Sequence, residues 1–334
     1  MMFEKAYSND KQFLALTSLL PNEFDLLFTA FEPRWLKWYK HYDFRMKRRQ
    51  KPLSARQLSR PTKTLATNKL KLFFVLYLYK VNPLQEAAAL TFEMNQGQVS
   101  RWRKVLTPIV LHCLEDLDFQ AARDAGQLIH LFRNRQNKRQ DTQRSESLHL
   151  DATERPIERN LDYNTQKCDY SGKQHDHTVK NSVVCDEFQF IHFLGDTWRT
   201  TVSDATIITQ EIPKLTAPCF DQLWLSKDAG YQGYRPNGVH LLEQSKGFRA
   251  NPLNTIQKEM NSWISSIRVV VENAINGMKR LRATKDRLRG FCLKKADQII
   301  ALAAGLHNLR VHCRINSYTL DTPCVRANLN PFDT

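Results

Sequence analysis

The feature that most constrains this chain is a short apolar segment that ends on an acid. Residues 148–160 begin with leucines, place Asp151 at the end of the apolar run, and reach Pro156 five positions later. Proline has no backbone N–H to donate, so a regular strand is expected to stop there. An apolar strand with a carboxylate at its tip is a rigid carrier for a metal ligand. The segment alone also fits an aspartate that caps a helix or initiates a turn.

Two further acids occur in comparable settings downstream. Asp228 follows the apolar residues 223–225 and precedes a glycine-containing turn, as expected of a second strand end. Glu272 lies beside the apolar stripe of a helical pattern, where it also fits an ordinary i, i+4 ion pair with Arg268. Gly277 interrupts the same helical pattern at a cost of about 1 kcal/mol relative to alanine. It therefore predicts that another element approaches the backbone closely at this point.

Three carboxylates on separate elements point to a specific chemistry. Breaking a phosphodiester requires stabilisation of negative charge on both the attacking and the leaving oxygen, and two Mg²⁺ ions about 3.5–4 Å apart provide it. Carboxylate oxygens are the ligands that Mg²⁺ prefers. We therefore expect Asp151, Asp228 and Glu272 to hold two Mg²⁺ ions, with Mn²⁺ as a substitute.

The charge of the chain is distributed unevenly. The formal net charge is +15, and the first 150 residues, with 25 Lys and Arg against 14 Asp and Glu, carry +11 of it. A basic surface attracts polyanions, of which nucleic acid is the first candidate. Charge that serves only solubility is the alternative.

The basic first part contains a candidate DNA-reading unit. Residues 83–107 read as two helices separated by a break near residues 95–97, with Val99, Trp102 and Leu106 facing inward. The pattern is typical of a helix-turn-helix and also of an ordinary helical hairpin with a basic outer face. The residues left for phosphates or base edges are Gln98, Ser100, Arg101, Arg103 and Lys104.

The second part of the chain changes to a mixed pattern. Residues 178–185 and 188–194 are strand-like and separated by a short polar turn, so they read as a hairpin. A helix beginning near residue 204, a strand at 223–225, and helices over 254–288 and 296–314 follow. This order predicts an α/β domain with a central mixed sheet flanked by helices, preceded by an all-α part.

Four segments in this part carry a family resemblance. They are Leu150-Asp-Ala-Thr-Glu154, Tyr170-Ser-Gly-Lys173 with His177-Thr-Val-Lys180, Asp228-Ala-Gly-Tyr-Gln-Gly233, and Arg268-Val-Val-Val-Glu272 with Lys279-Arg280. Asp228 follows Asp151 by 77 residues, and Glu272 follows Asp228 by 44. In this order the segments resemble DDE-type transposases of the Harbinger-like group, which includes bacterial insertion-sequence transposases. The resemblance covers about residues 148–312.

The resemblance implies a ribonuclease-H-like catalytic core with Asp151, Asp228 and Glu272 as its acidic triad. It implies a transposase that cleaves transposon ends and joins the 3′-hydroxyl to target DNA. Its expected partners are double-stranded DNA, as terminal inverted repeats and target, and a second copy of the chain. Basic residues near the acids are further candidates for DNA contacts: Lys173, Lys180, Arg268, Lys279 and Arg280.

These inferences define a domain organisation and two alternatives. We expect a helical DNA-binding domain over 1–127, a basic linker over 128–147, a catalytic domain over 148–316 and a tail over 317–334. One alternative is a non-catalytic DNA-binding protein derived from such an enzyme, and the other is a metal-dependent endonuclease that cuts without joining. The sequence shows no secretion signal and no membrane-length apolar run, so we expect a location in the bacterial cytoplasm or nucleoid, or in the nucleus of a eukaryote.

Overall fold

The structure is a computed structural model that describes residues 2–138, 146–245, 247, 252–290 and 292–321. Its first part is helical. The elements are α1 (Met2–Tyr7), α2 (Asp10–Thr17), α3 (Pro21–His41), α4 (Ala55–Leu58), α5 (Asn68–Val81), α6 (Gln85–Thr91), α7 (Gln96–Asp116) and α8 (Ala125–Lys138). Among the helices of the described ranges, none combines the length and apolar character needed to cross a membrane.

The turn between α6 and α7 is held by a reciprocal cap. The Asn95 side chain accepts a hydrogen bond from the backbone N–H of Gln98, and the Gln98 side chain accepts one from the backbone N–H of Asn95. This capping box satisfies two donors at the start of the helix and so sets where α7 begins. The side chains of Val99, Trp102 and Leu106 are buried, which confirms the predicted inner face of this helix.

Residues 128–138 were predicted to belong to a linker, but they form most of α8. The stretch is polar and basic in composition, but two of its side chains one helical turn apart, Leu128 and Phe132, are buried in the core. The ring of Phe132 packs on Phe220 and His192, at centroid distances of 5.1 and 4.8 Å. Residues 139–145 of the predicted linker and residues 322–334 of the predicted tail lie outside the described part of the chain.

The second part is built on a mixed sheet. Its strands are β1 (Ser147–Pro156), β2 (Tyr170–Ser171), β3 (Asp176–Asp186), β4 (Ile191–Leu194), β5 (Trp198–Arg199), β6 (Trp224–Lys227) and β7 (His240–Leu242). β3 pairs antiparallel with β1, while β6 lies parallel to β1 on its other side and β7 lies parallel to β6. β4 and β5 pair antiparallel with the far edge of β3, which confirms the predicted β3–β4 hairpin.

Helices cover both faces of this sheet. They are α9 (Tyr163–Asp169), α10 (Asp204–Glu211), α11 (Thr255–Met278), α12 (Arg282–Lys285) and α13 (Leu293–Asp321). One core contains β3 residues, α11, α13 and the N-terminal helices, and the other contains β1, β6, α8 and α10 residues. The mixed α/β class predicted from the sequence is confirmed. The division into domains stays a prediction, although the N-terminal helices share a core with α11 and α13.

Candidate active site

The structure brings the first two predicted acids side by side. β1 and β6 are parallel neighbours, and their register pairs Leu150 with Lys227, so Asp151 and Asp228 follow at the same level of the sheet. Leu150 belongs to one core, and side chains alternate along a strand, so Asp151 points to the opposite face, on which α11 packs. The two carboxylates therefore lie next to each other beneath α11.

The strand that carries Asp151 stops at Pro156, as expected, but it continues past Asp151, which the sequence had placed at the tip of the strand. β1 continues to Pro156 because it pairs with β3 over nine positions, among them Asp151 with Val183. What ends near Asp151 is the pairing with β6, since the last paired residues there are Leu150 and Lys227. Asp151 is thus a strand residue, and neither a helix cap nor a turn.

Burial dominates the electrostatics of Asp151. Burial raises the pKa of its carboxyl group, and the neighbouring charge of Asp228 raises it further. The backbone N–H of Ala152, which donates to Oδ1 at 2.7 Å, and the positive charges of Arg268 and Lys173 act in the opposite direction. The site therefore holds a carboxylate pair whose negative charge is only partly compensated by neighbouring cations.

Arg268 of α11 supplies most of this compensation. Its Nη1 lies 3.1 Å from Oδ1 of Asp228, and the two side chains are 15% and 38% exposed. The buried Nε of Arg268 has no hydrogen-bond partner within the described part of the chain. An arginine with an unsatisfied N–H beside two carboxylates is well placed to bind an oxyanion such as a phosphate.

Two hydroxyl groups flank the acid pair and were missed by sequence reasoning. Thr153 and Ser226 each lie two residues along their strand from one of the aspartates, so they share its sheet face. Their hydroxyl oxygens are buried, and neither has a hydrogen-bond partner among the described residues. Unsatisfied buried oxygens beside two carboxylates fit a hydrated divalent cation, which prefers oxygen ligands. The strand alternation was the sequence signal that could have identified them.

Tyr231 was also missed. It follows Asp228 by three residues, its side chain is 1% exposed, and its hydroxyl has no hydrogen-bond partner. Burial raises the pKa of the phenol well above its usual value, and the charges of Asp204 and Asp151 act in the same direction. Its position after the second acid was the available sequence signal, since it falls inside the segment that carried the resemblance.

The structure does not place the third predicted acid, Glu272, in contact with the first two. Glu272 is exposed on α11, one turn after Arg268, and makes no hydrogen bond or ion pair with the residues that the structure describes. In the same part of the chain, no three Asp, Glu, His or Cys side chains are arranged as a metal site. The structure therefore assembles two members of the predicted triad, and the role of Glu272 stays a prediction.

Two predicted DNA contacts lie close to the acids. Burial lowers the pKa of Lys279, and the nearby charges of Glu154 and Asp151 raise it, which places this ammonium group near the acid pair. Lys173, in the exposed turn between β2 and β3, is close enough to lower the pKa of Asp151. Arg280, just past the end of α11, is exposed. Lys279 and Lys173 therefore lie near the acid pair.

Lys180 is not brought to the site. Its side chain is 8% exposed, and its Nζ lies 2.7 Å from Oδ1 of Asp204. It pairs in register with Glu154, which places it on the sheet face opposite to Asp151. Lys180 does lie on a strand of the sheet, as predicted, but the alternation of side chains along β3 directs it to the face opposite to Asp151.

The predicted outer face of α7 is partly occupied by local contacts. Gln98 caps the helix, as described above, and Nε of Arg101 donates to the carbonyl oxygen of Gly97 at 3.2 Å. Arg101 and Lys104 are exposed, whereas Ser100 and Arg103 are half-buried. The basic side chains of this helix thus remain accessible on the side away from the core.

Comparison with known proteins gives one family. Residues 150–308 match the family model described as DDE superfamily endonuclease. Neither the curated proteins nor the solved structures gave a match. The matched segment contains Asp151, Asp228 and Glu272, and it spans the sheet and α11, which position the acid pair. Over residues 150–308, the chain is therefore similar to the DDE superfamily endonucleases.

Proposed function

We propose that this protein is a metal-dependent DNA transposase that cleaves transposon ends and joins the freed 3′-hydroxyl to target DNA. The observation that carries the proposal is the position of Asp151 and Asp228. They are neighbours at the point where β1 and β6 cease to pair, beneath a helix that carries Arg268 and Glu272. The order of the sheet supports a ribonuclease-H-like core, since an antiparallel strand flanks β1 on one side and two parallel strands follow on the other.

In the proposed mechanism, Asp151 and Asp228 would hold the divalent cations, Mg²⁺ or Mn²⁺, and Glu272 would complete one of the two cation sites. Such cations would supply stabilisation of the negative charge on the attacking and leaving oxygens. Arg268 and Lys279, which flank the acids, bind the non-bridging oxygens of the phosphate. Because burial raises the pKa of Asp151, this carboxyl group keeps its proton to a higher pH than an ordinary aspartate.

The helical part supplies recognition in this proposal. α6 and α7 form the helix-turn-helix, and Arg101 and Lys104 are its most exposed basic residues at the start of α7. They are proposed to contact the terminal inverted repeats. Joining requires two ends to be held together, so the active species is proposed to be a dimer on DNA.

The test is cleavage of duplexes that carry the inverted repeats flanking the gene, in the presence of Mg²⁺ or Mn²⁺. Wild-type protein is expected to cut, and Asp151→Asn, Asp228→Asn and Glu272→Gln are expected to lose the activity. Glu259→Gln is the matched control, because Glu259 is exposed on the same helix away from the acid pair. Cleavage by Asp151→Asn at the wild-type rate would overturn the mechanism.

The same assay separates the alternatives. Products in which the 3′ end is joined to a second duplex identify a transposase, and cut ends alone identify a simple endonuclease. Specific binding without any cutting identifies a non-catalytic DNA-binding protein. The exposed position of Glu272 is the observation that favours this last alternative.

A further inference from the structure

A cleft of 420 Å³ lies away from the acid pair, between the two parts of the chain. One wall comes from the end of α5 and the starts of α6 and α7. The other wall comes from residues 287–290, which follow α12, and from the first turns of α13. The cleft therefore joins the proposed recognition helix to the region that follows the catalytic helix α11.

Basic residues from both walls line this cleft. Arg287 is ion-paired, with Nη2 2.7 Å from Oδ2 of Asp176. Arg289 donates to two backbone carbonyls in the turn between α5 and α6, each at 3.1 Å, and to no acid among the residues that the structure describes. No carboxylate within the described ranges lies at ion-pair distance from Arg103 or Lys295. Three of the four cations in the cleft therefore lack an acidic partner.

The acids near the cleft do not balance these cations. Glu86 lines the cleft without forming an ion pair to any described residue, and Glu158 accepts a hydrogen bond from the backbone N–H of Gly290 at 3.0 Å. Burial lowers the pKa of Lys295, and the positive charge of Arg103 lowers it further. Lys295 also sits in the first turn of α13, at the positive end of the helix dipole, where an acid would be favoured. An anion in the cleft would relieve this repulsion.

We propose that this cleft binds a phosphodiester of the DNA backbone, held jointly by Arg103 and Lys295. The inference rests on the proposed function, and it assigns a second phosphate site to the same DNA. A polyanion is favoured over a small phosphorylated molecule because further exposed basic residues lie near Asp151, after the end of α11 and on α12, which also contributes Ala283 to the cleft. These residues are Lys173, Arg280, Arg282 and Lys285.

The spacing of the two sites predicts where this phosphate lies. From Asp151, β1 continues to Pro156, and the next residue, Ile157, forms a bridge with Leu288, which lines the cleft. Six residues of strand span roughly 20 Å. Phosphates follow each other about every 3.4 Å along one strand of a duplex. For a duplex whose axis runs along β1, a phosphate in the cleft lies about six nucleotides from the phosphate held at Asp151, which would set the register of the DNA end.

The test uses the full chain and a fluorescent end duplex in Ca²⁺ or EDTA. The dissociation constant is measured across a salt series, together with ethylation interference. Arg103→Gln/Lys295→Gln is expected to lower the slope of log K against log salt by about 0.9, the value for one phosphate. Ethylation of the phosphate about six nucleotides from the cut is expected to weaken wild-type binding and to have no effect on the variant.

Two control variants separate charge from folding. Lys294→Gln removes one positive charge from an exposed neighbour that does not line the cleft, and it is expected to keep the wild-type slope. Arg103→Lys/Lys295→Arg keeps both charges and is expected to keep the slope as well. A loss of slope in this charge-conserving variant would overturn the inference, because the effect would then come from altered packing.

The remaining outcomes distinguish a failure of the cleft inference from a failure of the proposed function. If the wild-type protein binds and cuts DNA but the double variant behaves like Lys294→Gln, the cleft inference fails and the proposed function stands. If inorganic pyrophosphate stabilises the wild-type protein but not the double variant, and the DNA slope is unchanged, the ligand is a small phosphorylated molecule and the inference fails. If the wild-type protein binds no duplex, both proposals fail.

Discussion

Removal of the Arg268 guanidinium should destabilise the protein by an amount that divalent cations restore. This side chain contacts Asp228 at 3.1 Å and lowers the pKa of Asp151. The substitution Arg268→Met keeps an unbranched apolar stem beneath α11 but leaves two neighbouring carboxylates without their nearest positive charge. Their mutual repulsion then opposes folding.

The magnitude follows from the burial of the pair. Breaking a buried ion pair by removing one partner costs about 3–5 kcal/mol, and an exposed pair contributes about 0–1 kcal/mol. Arg268 is 15% exposed and Asp228 is 38% exposed, so water screens part of the interaction. We therefore expect a loss of about 1–3 kcal/mol near neutral pH. For 334 residues, an unfolding entropy of about 0.7 kcal/mol/K converts this loss to a decrease in Tm of about 1.5–4 °C.

The assay is thermal unfolding of both proteins in EDTA and in a Mg²⁺ series. A cation at about 100 times its dissociation constant stabilises a folded protein by about 2.7 kcal/mol. The variant is expected to gain more than the wild-type protein, because Arg268 no longer competes with the cation for the carboxylates. Arg282→Met is the matched control, since Arg282 is 63% exposed and pairs with Asp286 one turn away on α12. It is expected to change the unfolding free energy by less than about 0.5 kcal/mol.

Acidification provides a second check on the same variant. The repulsion disappears when the carboxyl groups are protonated, and burial raises the pKa of Asp151 above the usual 3.8. The difference between the two proteins should therefore begin to close at a higher pH than an ordinary aspartate would give. If Arg268→Met unfolds at the wild-type temperature in EDTA, or if Mg²⁺ stabilises both proteins equally, the electrostatic description of the site is wrong.

Three further predictions use simpler perturbations. Asp151→Asn should raise the Tm in EDTA, because burial disfavours the charged carboxylate, while cleavage is lost; a lower Tm would contradict this. Burial lowers the pKa of Lys71 to about 8, so the unfolded chain binds more protons between pH 8 and 10.5 and wild-type stability should rise there by up to about 3 kcal/mol. Denaturant unfolding across this range should show the rise in the wild-type protein and its absence in Lys71→Met. Gly277→Ala should lower the free energy of unfolding by about 1–3 kcal/mol, because the new Cβ would lie 2.1 Å from Nδ1 of His307. Gly97→Ala is the control and should not change it measurably, because its Cβ would lie 3.4 Å from the nearest neighbour.

Local patterns in the sequence were sufficient to predict most elements. Helical spacing identified α6, α7 and α11, and the buried side chains of Val99, Trp102 and Leu106 follow that spacing. The alternation of apolar residues identified the hairpin of β3 and β4. These patterns can be recognised because the direction of side chains repeats every few residues in a helix or strand, so residues close in sequence form its buried face.

Other features depended on contacts between distant parts of the chain. The break in helical propensity at Gly277 predicted a close approach, but only the packing of α13 identifies His307 as the neighbour. The composition of residues 128–138 resembled a linker, and the contact of Phe132 with Phe220 made the segment a helix of the core. Tertiary contacts therefore overrode local composition where a few buried side chains anchored a polar stretch.

The sequence by itself determined that three acids stand on separate elements in a basic chain of mixed α/β class, and it named Asp151 and Asp228 as a pair. The tertiary structure decided that these two are neighbours, that Glu272 faces solvent and that Lys180 lies on the other side of the sheet. The physical reason is that spacing along the chain determines which face of an element a residue occupies. Which elements then meet is decided by strand pairing and core packing between residues far apart in the sequence.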